Sequence, residues 1–433
     1  MFPSSIRTIA GIVFLAFLAC SVLAGATPAL GKDPVQVVFW HAMRGEKQVA
    51  LAKLIEKFQK ENPDVTVQEV AALSPHERGL GNDYNHLYLK LLQAVAQNTP
   101  PDLAQVYENW ATQFIEIKAI TPVEEFRKGK YPLTDKEKED FFPIFREANS
   151  FNGALWTIPF NKSVYVLYYN RDMLEKNSIK VPRTWDELSE ASKKLTVRSG
   201  DEVKVYGFIY TPSVDMFGHW LYAYGGEFIS GDVATFGNAR GVKDLEYWVQ
   251  LTNSDRTALP SFNAYDDFLK GKGAFYIDST SRIAPLMKHC PFSFGIASVP
   301  EGSERTYQSA GTNLAIFAKS DEKKEASWRF MRFLVAPENT AFWAINTGYL
   351  PVRQSAVKRP DYQVFLKSHP DFSVGIQSIN YAKSPPRNPA WETIRNYIND
   401  AIYEAISQTA TPTKALEKAV THSNDLLKGM KGQ

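Results

Sequence analysis

Two charged side chains in this sequence have the chemistry to hold a small polar molecule. Arg387 lies in Ser384-Pro-Pro-Arg-Asn-Pro389. Its planar guanidinium matches two oxygens of a phosphate ester, and in a closed cleft such charge-assisted bonds are roughly twice as strong as neutral ones. A surface arginine in a proline-rich loop is the plainer reading. Glu108 follows the apolar run Leu103-Ala-Gln-Val-Tyr107, where an unpaired carboxylate would be costly, so it needs a hydroxyl donor or a cation. The alternative is an acid at a helix N-terminus, stabilised by the helix dipole. Trp40, Tyr107, Trp110, Trp220 and Tyr349 combine flat apolar area with a polar handle. Each could equally be core, but Tyr349, in Gly348-Tyr-Leu-Pro351, is the best suited to a cleft wall. Ser163, Ser279, Thr280, Ser309 and Gly311 fall at bends. There hydroxyls and backbone N–H groups either face a ligand or simply make turns.

Catalytic chemistry is harder to assemble from these residues. His41 and Glu46 could be read as a metal or acid–base pair, but the seven histidines are scattered. Neither H-E-x-x-H nor a clustered His/Cys spacing occurs, so no metal and no cofactor is expected. A nucleotide loop of the GxxxxGK[ST] type is absent as well. A secreted glycosidase remains as an alternative class, with Asp278 and Glu108 as candidate carboxylates, yet nothing places two of them across a scissile bond.

The elements that must position these residues are clear in the hydrophobic pattern. Val35 to Trp40 reads as a strand, and a helix follows with Ala50, Leu54 and Phe58 on one face. Asn62-Pro63 stops that helix, because the residue before proline leaves the α region. Val65 to Val70 then alternates like a second strand. Strand, helix and strand in succession make a βαβ unit and imply a parallel sheet. A polar loop from Ser74 to Asp83, a helix from about Asn85 to Gln97 and a strand at Leu103 to Tyr107 come next. Val164 to Tyr169, rich in β-branched and aromatic residues, reads as a buried strand entered through a bend at Pro159 and Asn161. Thr184, with Glu187 three residues on, predicts a capped helix start. A strand flowing into a hydroxyl-rich turn is expected over Gly271 to Ser281, a strand and turn over Phe294 to Pro300, and a Gly-containing bend into a strand over Gln308 to Phe317. Pro337 suits a first helical turn. Trp391, Ile394, Ile398, Ala401, Ile402 and Ala405 predict one face of a late helix, and Thr411-Pro412 opens the last one.

A chain of 433 residues is too long for one core and calls for two lobes. A net charge of +2 gives no reason to expect nucleic acid or a membrane surface as partner. Arg7, the apolar run Ile9 to Leu23 and the small residues after it predict an export signal over residues 1–26, and hence a periplasmic location. Of the two cysteines, Cys20 lies inside that signal, where Phe-Leu-Ala-Cys is a poor match to a lipid-attachment site, and Cys290 is left alone. Stability must therefore come from burial rather than a disulfide.

Taken in order, these landmarks resemble the bacterial extracellular solute-binding proteins of the large-sugar class, the capture subunits of ABC importers. The likeness runs over nearly the whole chain after the signal. It rests on Phe39-Trp40-His41, Phe58 to Pro63, Pro101-Asp102, Trp156 to Asn170, Thr184-Trp185, Gly273-Ala274-Phe275, Ala336-Pro337-Glu338 and Thr347 to Pro351. Within the class, Trp40 to Glu46, Gln105 to Glu108, Pro159 to Ser163, Gly348 to Pro351 and Arg387 ahead of Ile394-Arg395 are similar to the members that bind glycerol 3-phosphate. The resemblance implies a periplasmic-binding-protein-like α/β fold with two lobes, a multi-strand hinge and the ligand cleft between them. The lobes would comprise 34–160 plus 311–338 and 165–307 plus 345–433, hinged near 160, 310 and 340. It implies a monomer that makes no covalent bond and docks on a membrane permease. Tyr84, Glu108, Ser163, Ser279 or Thr280, Gly311, Tyr349 and Arg387 would surround the ligand, with Arg387 on a phosphate and Glu108 on glycerol hydroxyls. The ligand would be glycerol 3-phosphate or a glycerophosphodiester, with a neutral di- or oligosaccharide as the alternative. One departure stands out: a closely spaced tryptophan pair of the family has no counterpart in Tyr206 to Ser213, leaving Tyr210 or Trp220 to fill that wall.

Overall fold

The predicted βαβ unit opens the structure, a computed structural model that describes residues 33–72 and 80–431. Val35–His41 and Val65–Ala71 pair in parallel, from Val35 opposite Val65 to His41 opposite Ala71. The helix Glu46–Glu61 joins them and buries Ala50, Leu51, Leu54, Ile55 and Phe58, the stripe expected from its periodicity. The predicted export signal with Cys20, and most of the polar loop after Ser74, lie outside the described residues.

Eleven strands form the main sheet among the described residues. Its path runs Ala258–Pro260, Glu202–Tyr210, Gly273–Ser279, Ile158–Asn170, Tyr307–Ile316, Leu103–Val106, Val35–His41 and Val65–Ala71. Pairing is parallel towards both ends and antiparallel through the three central contacts. The centre consists of two long strands that change partners along their length. Ile158 to Val164 pair with Leu314 to Ser309, whereas Tyr165 onward pairs with Gly273–Ser279 on one side and Phe294–Ser298 on the other. One half-sheet carries the helix Asp321–Leu334 on Val35–His41, and the other carries Trp185–Leu195 on Glu202–Tyr210. Two α/β lobes thus share their central strands, and from Pro34 on the chain holds together as one unit.

The bend expected at Pro159 and Asn161 is a β-bulge. Asn161 lies opposite Thr312 and Pro159 opposite Asn313, so Phe160 is the extra residue. Gly311, facing Lys162 in this ladder, has φ of 100°, and a Cβ there would sit 2.0 Å from the Asn161 carbonyl oxygen. Only glycine fits both the conformation and the gap.

Local signals elsewhere are honoured. Thr184 Oγ1 accepts from the Glu187 N–H at 3.2 Å, while Glu187 reaches back to the N–H of Arg183, not that of Thr184. Pro337 occupies the first turn of Pro337–Thr347, and Gly348 ends that helix with φ of 76°. In Trp391–Ile406 the buried residues are the six that the periodicity predicts.

Candidate ligand-binding site

Where the two central strands cross, two adjoining hollows of about 330 and about 130 Å³ open between the half-sheets. They share Tyr84, Tyr107, Tyr165, Asp215, Ala310, Gly311 and Arg395 as lining. Side chains reach them from both sides. Tyr84 comes from the helix Leu80–Ala96, and Glu108 begins the helix Glu108–Glu116. Asp215 sits in the first turn of Val214–Ala223, capped by Ser213, and Glu392 and Arg395 in the first turns of Trp391–Ile406. Three carboxylates thus stand at helix N-termini, where the dipole favours negative charge.

The floor is a polar network. Asn161 donates to the Tyr84 hydroxyl at 3.1 Å and accepts from Gln105 at 3.1 Å and from the Thr312 hydroxyl. Lys162 Nζ donates to Glu108 Oε1 at 2.5 Å, with both side chains nearly excluded from solvent. Glu108 therefore has the cationic partner that its position demands.

Asp215 holds the Arg395 guanidinium in place. Its Oδ1 accepts from Gln308 Nε2 at 2.6 Å and its Oδ2 from Arg395 at 3.2 Å. Burial pushes the Asp215 carboxyl up, but the Arg395 charge and the Gln308 hydrogen bond outweigh it and keep the group below the ordinary carboxylate range. Burial likewise works against the Arg395 cation, yet the charges of Asp215 and Glu392 hold its pKa above the usual arginine value. Only one nitrogen of Arg395 is engaged by protein among the described residues, and the residue borders both hollows. Arg282 and Asp278 form a second such pair at 3.0 Å.

Behind Tyr165 lies His219, fully buried, with ring centroids 4.2 Å apart. Its Nδ1 accepts from the Gln308 backbone N–H at 3.2 Å. Burial lowers its pKa to about 4, and attraction from Asp215 and Asp278 offsets only part of this. The ring is therefore neutral in the folded protein at pH 7. An unfolded chain protonates it near pH 6.5, so stability is complete above that pH and declines as pH falls towards 4. The expected loss is about 2 kcal/mol, read from guanidinium denaturation at pH 7 and pH 4.5. His219→Gln, which keeps an acceptor, is expected to remove that component of the pH dependence.

Of the residues singled out in the sequence, Tyr84, Glu108, Ser163, Ser279, Gly311 and Tyr349 line the hollows, together with Tyr107, Trp110 and Ser309. Four others do not. Arg387 is exposed and donates to the carbonyls of Glu147 and Ser150 at 2.8 and 2.7 Å, although the preceding Pro385 and Pro386 do line the smaller hollow. Thr280 is fully buried, packed against Gly375, while its neighbours Ser279 and Ser281 face the cavity. Trp40 lies under the Lys90 ammonium, 4.2 Å from its ring. Trp220 is buried against Tyr224, and Tyr210 stacks between Phe208 and Trp248. On the segment that lacks the tryptophan pair and just after it, Thr211, Ser213 and Met216 line the larger hollow. Arg395, Asp215, Tyr165, Arg282 and Glu392 are lining residues that the sequence reading passed over. Arg395 carried no local signal, because its partner Asp215 lies 180 residues away along the chain.

A roomier hollow of about 830 Å³ lies elsewhere, between Asp321–Leu334 and residues 131–140. Its arginines are committed: Arg329 to Asp64, Arg332 to Glu137 and Arg353 to backbone carbonyls. The cleft between the half-sheets, where the Arg395 guanidinium spends only one nitrogen on Asp215, is the better site.

Two α/β lobes joined by crossing strands, with polar groups converging on a gap between them, define the periplasmic-binding-protein class. The family described as bacterial extracellular solute-binding protein matches residues 53–372, and the chain belongs to it. The sn-glycerol-3-phosphate-binding periplasmic protein UgpB of Pectobacterium atrosepticum is 27% identical, covering 98% of this chain and 96% of that protein. Its namesake in Salmonella typhimurium is 25% identical over 90% of this chain and 92% of its own length. Among solved structures, UgpB from Mycobacterium tuberculosis in complex with glycerophosphocholine superposes with a TM-score of 0.80 at 21% identity, covering 93% of this chain and 100% of that one. A cyclic alpha-maltosyl-1,6-maltose binding protein from Arthrobacter globiformis gives 0.76 at 23% identity, covering 92% and 100%. At those identities the structural likenesses establish the fold. No helix of the described residues is long and apolar enough to cross a membrane.

Proposed function

We propose that this protein is the capture subunit of an ABC importer, exported to the periplasm, and that its solute is a phosphate ester of glycerol. The carrying observation is Arg395, a guanidinium held at the junction of both hollows with donors left over after its bond to Asp215. Bidentate binding of a phosphate is what such a fork does best. Ser163, Ser279, Tyr349 and Glu108 stand around it to take hydroxyl groups. The relatives named for glycerol 3-phosphate, covering nine-tenths or more of this chain, support the same reading. The solute draws the lobes together and is handed unchanged to a membrane permease.

A neutral oligosaccharide is the second reading, supported by the tyrosine-rich lining at Tyr84, Tyr107, Tyr165 and Tyr349. Calorimetry with glycerol 3-phosphate, glycerophosphocholine, maltose and trehalose separates the two. Only the phosphate-bearing ligands are expected to bind, and to be recovered intact. Binding by the sugars alone would replace the phosphate reading with the second one.

A further inference from the structure

Residues 384–392 leave one side of the cleft, reach the other and return. Just before them, Ala382 and Lys383 pair with Tyr307 and Gln308, and the Ser309 hydroxyl donates to the Lys383 carbonyl at 3.3 Å. At their far end Trp391 opens the helix Trp391–Ile406 and packs on Phe228, with ring centroids 4.8 Å apart. Asn388 secures that turn: its Oδ1 accepts from the Ala390 N–H at 2.8 Å and its carbonyl from the Trp391 N–H at 2.9 Å. Tyr307 belongs to one apolar core and Trp391 to another, and the helix Val214–Ala223 contributes to both. Both ends are therefore rooted on the same side.

The middle grips the opposite side. Arg387 Nη1 donates to the carbonyls of Glu147 and Ser150 at 2.8 and 2.7 Å, and its guanidinium lies 5.2 Å from the centre of the Phe151 ring. Further on, Glu392 Oε2 accepts from Asn109 Nδ2 at 3.2 Å and Trp110 Nε1 at 3.1 Å. Trp110 and Phe151 pack in a separate core with Ala104 and Val106. Between the two grips, Pro385 and Pro386 border the smaller hollow. With Pro389 they hold φ fixed along this stretch, so it bridges the gap as a stiff piece and loses little entropy when it docks. Lobes that swing apart break these bonds, and a contact made in only one of two states favours that state by its own free energy.

We propose that residues 384–392 are a strap that latches the lobes over the smaller hollow, with Arg387 as a positioning residue that holds the closed form without touching the solute. Resting on the capture-subunit reading above, the strap lets go before a solute leaves, so it lengthens the stay of any solute whatever its charge. Every bond in the strap joins protein groups, and it therefore favours closure with or without solute. Glu392 also borders the smaller hollow and acts on Arg395, whereas Arg387 borders neither hollow and isolates the strap.

The test is made on wild type and Arg387→Ala, with thermal unfolding to verify that the variant is folded. Stopped-flow kinetics are measured with glycerol 3-phosphate, glycerophosphocholine and maltose. Each solute that wild type binds is expected to leave the variant about fivefold faster, with association within about twofold of wild type. Small-angle X-ray scattering without solute is expected to give the variant the larger radius of gyration, a change that the loss of a direct phosphate contact would not produce. Equal radii, or an unchanged release rate, overturn the strap and leave the phosphate reading standing. Binding of maltose alone overturns the phosphate reading, and the strap is then read on maltose. If none of the three binds wild type, the phosphate reading falls and the radius alone decides the strap.

Discussion

Arg395→Ala is expected to weaken the binding of glycerol phosphate esters by roughly two to three orders of magnitude. A charge-assisted, two-pronged contact in a largely desolvated cleft contributes several kcal/mol, and each 1.4 kcal/mol is a factor of ten. The substitution also strands Asp215, whose Oδ2 would lose its cation while Gln308 still holds Oδ1. Pairing it with Asp215→Asn separates the two effects: the double variant regains stability but not affinity. Arg395→Lys keeps the charge and loses the fork, so it is expected to fall between wild type and alanine. Calorimetry with glycerol 3-phosphate reads all three, with Arg387→Ala measured beside them. Should Arg387→Ala lose binding while Arg395→Ala retains it, the phosphate contact belongs to the loop and not to the helix.

The second large effect concerns stability. Lys162 and Glu108 pair at 2.5 Å with side-chain exposures of 3% and 7%. Removing one member of a pair so deeply placed costs about 3–5 kcal/mol, because the charge left behind has neither water nor partner. Lys162→Met is therefore expected to destabilise the protein by that amount in guanidinium denaturation. Combining it with Glu108→Gln is expected to restore most of the loss, since the unpaired charge disappears with it. Equal stabilities for the single and double variants would show that Glu108 is not held by Lys162. The single variant also leaves a bare carboxylate on the smaller hollow, so anionic ligands are expected to bind it more weakly, most visibly at low salt.

Much of this architecture can be read directly from residue periodicity. The late helix buries Trp391, Ile394, Ile398, Ala401, Ile402 and Ala405 because a 3.6-residue repeat leaves little choice of face. The central strand is legible for the same kind of reason, as a run of β-branched and aromatic residues covered on both sides. Positions fixed by backbone geometry, such as Gly311 and the bulge at Phe160, also announce themselves through turn-forming residues. The choice between Arg387 and Arg395 does not. Local chemistry favours Arg387, but what distinguishes Arg395 is Asp215, which lies 180 residues away along the chain and meets it only in the fold. The tryptophans mislead for a related reason. Trp40 and Trp220 have the chemistry of a cleft wall, and strand alternation and helix phase turn both elsewhere.

Two exposed fastenings join distant parts of the chain, and they will answer differently to added salt. Lys288 meets the carboxylate of Glu46 at 3.1 Å, an ion pair open to solvent on both sides. Arg387, by contrast, grips the uncharged carbonyl oxygens of Glu147 and Ser150 and covers the Phe151 ring. Counter-ions screen the first attraction within a few ångströms at molar strength but have little purchase on the second, whose acceptors carry no net charge. In brine, then, the lysine clasp slackens and the arginine bracket stays shut.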